Sequence, residues 1–185
     1  MNLFRILYRL FILSLFSAFI IFASLSPKST QEKDDVEAVE NFVKDLYNLV
    51  SFSPNNLPDW EKVRNKFLDE AVIVLYDGQD RYNIHSTESF VEDFINFIKN
   101  FEIENIGFSE KVVSCKTRII GNMAHCLVLY EAHIPGSQRP PQQGIDSFQL
   151  LKRSGEWRIV SVTNEIVRPG VPVPEELIKG NSNGR

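Results

Sequence analysis

Apolar and polar residues alternate along the C-terminal half of the chain in a pattern that predicts two antiparallel hairpins. Residues 145–164, IDSFQLLKRSGEWRIVSVTN, form two alternating runs separated by Ser154-Gly155, which is typical of a tight turn. Residues 111–120 and 123–134 alternate in the same way around Gly121-Asn122. We therefore expect two long strand pairs in one sheet.

The hairpin at residues 145–164 has a predicted register. An even number of loop residues places Asp146 and Trp157 on the same sheet face, which is apolar near the turn and polar at its far end. We expect this face to build the core and the opposite face to meet solvent or a partner. The pairs predicted across the core face are Lys152 with Trp157, Leu150 with Ile159, Phe148 with Ser161 and Asp146 with Thr163. The opposite face is predicted to carry Leu151, Gln149, Ser147 and Ile145 against Arg158, Val160, Val162 and Asn164.

Apolar residues at three- and four-residue steps predict three helices in the N-terminal half. The first covers residues 36–50, the second is short and covers residues 58–67, and the third covers residues 87–101. Residues 71–76, AVIVLY, predict a strand between the second and third helices. The phenylalanines of the third helix recur at helical spacing, so we expect them to fill the core.

The composition supports one domain, which we place at residues 35–167, because 185 residues with 43% hydrophobic content can bury one core. A polar tether is expected at residues 27–34 and a Pro-rich, disordered tail at residues 168–185. The formal net charge is −4, and loss of the leader with Arg5 and Arg9 would make it −6. This acidic balance argues against nucleic-acid binding, which needs clustered Lys and Arg.

Residues 1–26 are a separate segment with a basic start and an uncharged apolar run. The run from residue 10 to residue 25 spans about 24 Å as a helix, short of the roughly 30 Å hydrocarbon core of a bilayer. This length favours a secretory signal peptide, with Ala23 as the small residue before the cut. The alternative is an uncleaved anchor extended by snorkelling Arg5 and Arg9. Either interpretation predicts export, to the periplasm or medium or to the inner-membrane surface.

The two cysteines, Cys115 and Cys126, lie on the two strands of the earlier hairpin. Export would permit a disulfide between them. The predicted register makes them diagonal neighbours about 7 Å apart or more, which is near the limit for bridging. Two buried thiols are the simpler interpretation, and the disulfide stays open.

The order of two helices, a strand, a third helix and two antiparallel hairpins resembles the NTF2-like (SnoaL-like) superfamily. The resemblance rests on FLDEAVIVLYDG at 67–78, the helix at 87–101, IIGNMAHCLVLYEAHI at 119–134 and SFQLLKRSGEWRIVSV at 147–162. It implies an α+β cone in which a curved antiparallel sheet wraps around about three helices. It does not specify an activity, since the superfamily includes isomerases, dehydratases, hydrolases, ligand binders and scaffolds.

The resemblance also implies a pocket between the helices and the concave sheet face. Asp146 is the candidate general base there, with Thr163 beside it, because a buried carboxylate has a raised pKa. Tyr47 and Tyr130 are candidate hydrogen-bond donors to a ligand oxygen. The alternatives are a solvated Asp146 at the strand start and two core tyrosines with satisfied hydroxyls. Many relatives carry a histidine near Thr163 or Asn164, and this chain does not.

The sequence predicts neither a metal site nor a cofactor. His85, His125 and His133 are scattered, without the spacing or the cysteine partners of a zinc site. Gly136 and Gly144 are isolated, so no Gly-rich phosphate loop or nucleophile elbow is present.

An apolar band is predicted on the outer sheet face, where Leu127 and Leu129 would lie beside Val160 and Val162. A monomer would leave this band in water, so we expect a homodimer through the outer face.

Three functions fit these observations. The first is an exported domain that binds a small apolar ligand or a protein partner without catalysis. The second is an isomerase- or dehydratase-like enzyme with Asp146 as base. The third is a membrane-tethered periplasmic scaffold component, in which residues 1–26 would stay attached and provide the only membrane contact.

Overall fold

The computed structural model describes residues 28–179, which form four helices and six strands. The helices are α1 (Lys28–Val50), α2 (Trp60–Arg64), α3 (Thr87–Asn100) and α4 (Glu175–Lys179). The strands are β1 (Phe67–Gly78), β2 (Arg81–His85), β3 (Ser109–Ile120), β4 (Met123–His133), β5 (Gln142–Arg153) and β6 (Glu156–Ile166). The predicted α+β order is confirmed, and residues 35–179 belong to one compact unit.

The six strands form one mixed sheet with the order β2-β1-β6-β5-β4-β3. The two predicted hairpins supply its antiparallel half, while β1 joins β6 as a parallel neighbour. Strand β2 was not predicted because its sequence, RYNIH, is polar and mostly exposed. It forms by turning back on β1 at the edge of the sheet.

The inner sheet face and the apolar face of α1 share one core. Trp157 and Ile159 are 6% and 0% exposed and pack in the same cluster as Val39 and Val43 of α1. The turn that joins β5 and β6 has positive φ at both Ser154 (53°) and Gly155 (86°), as a two-residue hairpin turn requires.

A β-bulge at Val160 changes the predicted register of the β5–β6 hairpin. Lys152 pairs with Trp157 and Leu150 with Ile159, as expected. Beyond the extra residue, Phe148 pairs with Val162 instead of Ser161, and Asp146 pairs with Asn164 instead of Thr163. A bulge sets two residues against one, so it reverses the faces of all later residues.

This reversal corrects four side-chain placements. Ser161, expected opposite Phe148 on the core face, pairs with Gln149 on the outer face. Val162 and Asn164, expected on the outer face, are 5% and 6% exposed and line the inner side. Thr163, expected beside Asp146, is exposed on the opposite face. Period-2 alternation alone does not reveal an inserted residue, which is why the sequence pattern misplaced them.

The hairpin that carries the cysteines has the predicted turn at Gly121-Asn122 and the predicted pairs Cys115 with Val128 and Cys126 with Thr117. Both cysteines are free thiols, and Cys126 is completely buried. The interpretation of two buried thiols therefore holds for Cys126, whereas Cys115 is only half-buried.

The two flanking segments differ from the expected tether and tail. Helix α1 begins at Lys28, so residues 28–34 are helical, which Gln, Glu and Lys permit. Residues 168–179 are ordered: Leu177 of α4 is 1% exposed, and its carbonyl accepts a hydrogen bond from Ser114 Oγ at 2.7 Å. The leader at residues 1–26 lies outside the described residues. Among residues 28–179, no helix is both long and apolar enough to cross a bilayer.

The outer apolar band is smaller than the sequence suggests. Helix α4 packs on β3 and β4, and Leu129 on this side is 6% exposed. Val162 faces inward because of the bulge, so Leu127 and Val160 remain, the latter 38% exposed. The homodimer stays a prediction, and through this face it would depend on those two residues.

Candidate functional site

A cavity of about 300 Å³ lies between the helices and the inner sheet face. Six phenylalanines line it, Phe67, Phe90, Phe94, Phe97, Phe108 and Phe148. Three of these come from α3, whose phenylalanines were expected to be core residues. They pack against the core as expected and also line the cavity, whereas the fourth, Phe101, is 60% exposed at the end of the helix. An apolar wall of this kind suits a small ligand whose surface is mostly apolar.

One side of the cavity carries a buried hydrogen-bond network of four side chains. Tyr47 donates its hydroxyl hydrogen to Asp146 Oδ2 at 2.5 Å. Asn164 Nδ2 donates to Asp146 Oδ1 at 2.8 Å and to Tyr130 Oη at 2.9 Å. All four residues are less than 10% exposed and line the cavity. The structure thus brings Tyr47, Tyr130 and Asp146 together, with Asn164 in the place expected for Thr163.

The backbone fixes the positions of these groups. Asp146 and Asn164 are direct partners across β5 and β6, beyond the bulge at Val160. Tyr130 on β4 lies opposite Gly144 of β5, and a Cβ atom built on that glycine would be 2.3 Å from Tyr130 Oη. Any side chain at Gly144 would therefore displace the tyrosine. Sequence analysis treated this glycine as isolated, and its close contact with Tyr130 appears only in three dimensions.

The network leaves one buried donor without an acceptor. Tyr47 uses its hydroxyl hydrogen on Asp146, whereas the Tyr130 oxygen accepts from Asn164 and keeps its own hydrogen. Within residues 28–179, no group accepts that hydrogen. Burial and the nearby acidic groups hold the pKa of Tyr130 well above its ordinary value, so the hydroxyl is neutral. A ligand oxygen or a water molecule can therefore accept from it.

Asp146 is inward and buried, not solvated at the start of its strand. Burial raises the pKa of its carboxyl group to about 6, although the hydrogen bonds from Tyr47 and Asn164 act in the opposite direction. Desolvation disfavours the charged form, and the two donors recover part of that free energy. The group is mostly ionised at pH 7 and becomes protonated in mild acid.

Sequence analysis missed a second acidic residue of the cavity, Glu110 of β3. Its backbone is tied to Ser51, whose Oγ accepts from Glu110 N at 2.8 Å. Alternation outward from Cys115 predicts an outward Glu110, but a bulge between Val112 and Ser114 reverses the earlier faces. Glu110 therefore lines the cavity with Asp146.

The Glu110 carboxyl group has no hydrogen-bond donor among the described residues. It keeps some exposure because it faces the cavity, yet burial and the nearby Asp146 raise its pKa to about 8. The group is thus largely protonated at pH 7 when the cavity is empty.

Residues 28–179 contain no group of three or more His, Cys, Asp or Glu side chains that could hold a metal ion. His125, for example, lies within 3.1 Å of Ser147 Oγ, with no acidic or thiol partner. Asp146, Glu110 and Tyr130 line the cavity and can form hydrogen bonds and transfer protons.

No protein-family model matches the chain. No curated protein matches it either. Solved structures do match. An NTF2-like protein with a cystatin-like fold from Novosphingobium aromaticivorans aligns over 77% of this chain and 92% of its own, with 8% identity and a TM-score of 0.60. An NTF2-like protein of unknown function from Shewanella baltica aligns over 77% of this chain and 99% of its own, with 16% identity and a TM-score of 0.50.

A third similar structure is a protein provisionally assigned as a scytalone dehydratase, also from Novosphingobium aromaticivorans. It aligns over 72% of this chain and 85% of its own, with 11% identity and a TM-score of 0.54. These likenesses show that the chain has the NTF2-like fold, as the sequence resemblance implied. Identities this low show only the fold, so the function has to be argued from the residues of the cavity.

Proposed function

We propose that the chain is a binding domain whose cavity takes a small, mostly apolar ligand with one polar group. The supporting observation is a pair of cavity groups with unused hydrogen-bonding capacity, the Tyr130 hydroxyl hydrogen and the Glu110 carboxyl group. Buried polar groups in proteins are nearly always hydrogen-bonded. A ligand that places its polar group beside both would satisfy them while its apolar part contacts the phenylalanine wall.

The size and lining of the cavity agree with this proposal. A volume of about 300 Å³ is at the lower end of small-molecule pockets, so the ligand is a compact one. The cavity combines an apolar wall with few polar groups. In ligand sites the apolar wall usually supplies the affinity, and the polar groups fix the orientation of the ligand.

Fluorescence titration with 2-naphthol, a small neutral aromatic alcohol, tests the proposal. We expect saturable binding of one molecule per chain. The variant Leu75→Trp, which adds bulk to a half-buried cavity residue, should abolish this binding. Leu127→Trp is the matched control, because Leu127 is a half-buried strand leucine of the outer face. Equal binding by Leu75→Trp and the wild type would exclude the cavity as the site.

A second candidate function is a proton-transfer enzyme with Asp146 as general base. Its support is a carboxyl group with a pKa of about 6 in the same buried network as a neutral Tyr130 hydroxyl, which could polarise a substrate carbonyl. Both Asp146 oxygens already accept hydrogen bonds, which lowers their basicity, so we rank this function second. Turnover of an enolisable ketone that Asp146→Asn abolishes would reverse the ranking.

We also propose that the domain is exported, with residues 1–26 as a signal peptide or an anchor. The support is the basic start and the uncharged run of this segment. Mass spectrometry of the mature N-terminus separates the two alternatives, since only a signal peptide is removed. A retained leader in a membrane fraction would favour the tethered scaffold among the three functions.

A further inference from the structure

The polar lining of the cavity has one sign of charge. Glu110 and Asp146 lie inside it, and Asp93 of α3 lies exposed at its edge. Among the described residues, no Lys, Arg or His lines this cavity. An acidic site without a basic side chain is complementary to a cation.

The apolar lining also suits a cation. The rings of Tyr47 and Tyr130 lie 5.6 Å apart, and Phe148 stands edge-on to Tyr47 at 6.2 Å. Aromatic rings carry negative potential on their faces and attract ammonium groups, most strongly where water is excluded. The acidic and aromatic groups therefore surround the same space.

These charges and rings specify the chemistry of the ligand's polar group. We propose that the polar group of the ligand is a basic nitrogen, so that the cavity takes an apolar amine whose ammonium lies between Glu110 and Asp146. The inference rests on the proposed function, because it specifies the chemistry of the same site.

Charge matching favours the amine over a neutral ligand, and the Tyr130 hydroxyl would then donate to a water molecule. An ammonium group has donors and no acceptor, as the Glu110 carboxylate and the remaining lone pairs of Asp146 require. It pairs Glu110, which has no donor from residues 28–179, and the charge-assisted bond is stronger than one to an alcohol. A neutral ligand would leave the ionised Asp146 in a low dielectric without a counter-charge, and Glu110 would stay protonated.

The amine would also change the protonation of the cavity. Glu110, with its pKa raised to about 8, is mostly protonated at pH 7 in the empty cavity, whereas an adjacent ammonium favours the carboxylate. Binding at pH 7 should therefore release up to about one proton. The titratable groups that line the cavity from every element are Tyr47 of α1, Tyr76 of β1, Asp93 of α3, Glu110 of β3, Tyr130 of β4 and Asp146 of β5. Of these, Glu110 is the one group largely protonated at pH 7 whose ionised form an ammonium would select.

Calorimetric titration of the whole protein with two probes of one shape tests the inference. The probes are 2-naphthylmethylamine and 2-naphthylmethanol, each titrated at pH 7 in phosphate and in Tris. The two buffers have different ionisation enthalpies, so together they give the number of protons released. We expect the amine to bind at least about tenfold more tightly than the alcohol, with release of about one proton, and the alcohol to release none.

The variant Glu110→Gln removes the acidic group and keeps nearly the same side-chain shape, so it tests the contribution of charge to amine binding. It should remove the amine preference and the proton release. Glu104→Gln is the matched control, since Glu104 is an exposed glutamate of the loop before β3 that does not line the cavity. It should behave as the wild type does.

The outcomes distinguish the two proposals. Equal affinity for both probes without proton release would overturn the amine inference and leave the binding cavity in place. Binding of 2-naphthol without binding of the amine would overturn the amine inference in the same way. Failure of all three compounds to bind would overturn the proposed function, and the inference with it.

Discussion

The two ends of the β5–β6 hairpin have different roles although they belong to the same pair of strands. Near the turn, Leu150, Trp157 and Ile159 face the core and are nearly inaccessible to solvent. Beyond the bulge at Val160, the same face carries Asp146 and Asn164 and borders the cavity. One face thus changes from packing to polar recognition within a few residues, and the bulge marks the boundary.

The difference shows how one strand pair can stabilise a fold and still support a site. The turn end gains free energy from apolar burial, which is large. The far end gives up part of that stability to hold a buried carboxyl group with a raised pKa. The four predictions below test this difference between the apolar turn end and the polar cavity end.

The largest expected effect is at the turn end. Ile159→Ala removes a fully buried side chain and should lower the free energy of unfolding by about 3 kcal/mol, measured by urea denaturation. Binding of 2-naphthol at a temperature where the variant is folded should change little, since Ile159 does not line the cavity. A loss below about 1 kcal/mol would contradict the core role of this end.

The next effect concerns pH at the cavity end. Glu110 has a folded pKa of about 8, above the ordinary value of 4.5, so the folded state binds more protons than the unfolded state. Its contribution is fully present below pH 4.5 and is lost as the pH rises towards 8. From about pH 5 to about pH 8 the wild type should lose about 2 kcal/mol more than Glu110→Gln, less than the full linkage value because the side chain keeps some exposure. Parallel pH profiles of the two proteins would contradict the assignment.

Gly144→Ala should have an intermediate effect. The new Cβ would meet the Tyr130 ring at 2.3 to 2.5 Å, so the tyrosine must move. We expect a loss of about 1.5 kcal/mol in unfolding free energy and weaker 2-naphthol binding. Removal of the ring in a Tyr130→Leu background should make the same substitution nearly neutral, and an unchanged loss in that background would rule out the clash.

The smallest effect compares two tyrosine hydroxyls that each donate to a carboxylate. Tyr47→Phe removes the buried bond to Asp146, and Tyr82→Phe removes the exposed bond to Glu165 at 2.8 Å. We expect losses of about 1 kcal/mol and less than about 0.5 kcal/mol, respectively, by denaturation at about pH 7. Equal losses would mean that burial does not strengthen the network.

The sequence predicted the parts of the fold that follow periodicity. Hydrophobic spacing predicted the three main helices and both long hairpins, and the Ser154-Gly155 turn predicted the register as far as Ile159. Strand β2 and the anchoring role of Leu177 were not predicted, because a polar edge strand and a single apolar residue among prolines carry no periodic signal.

The candidate site was predicted only in part, and the two bulges explain why. Asp146, Tyr47 and Tyr130 lie on β5, α1 and β4, which carry no inserted residue, so pattern and resemblance placed them on the correct side. Asn164 and Glu110 lie on the far side of bulges, where alternation assigns the wrong face. An inserted residue is favoured by strand curvature and tertiary packing, which the local sequence does not record.

The Asn164 side-chain amide gives the most direct test of the account, because its position depends on the bulge and it joins both halves of the network. Its ¹H–¹⁵N signals should exchange slowly with solvent and should shift when 2-naphthol is added to the wild-type protein. An Asn164 amide that exchanges freely, or that stays unshifted while signals of outer-face residues such as Leu127 move, would contradict an inward network beside a ligand-binding cavity.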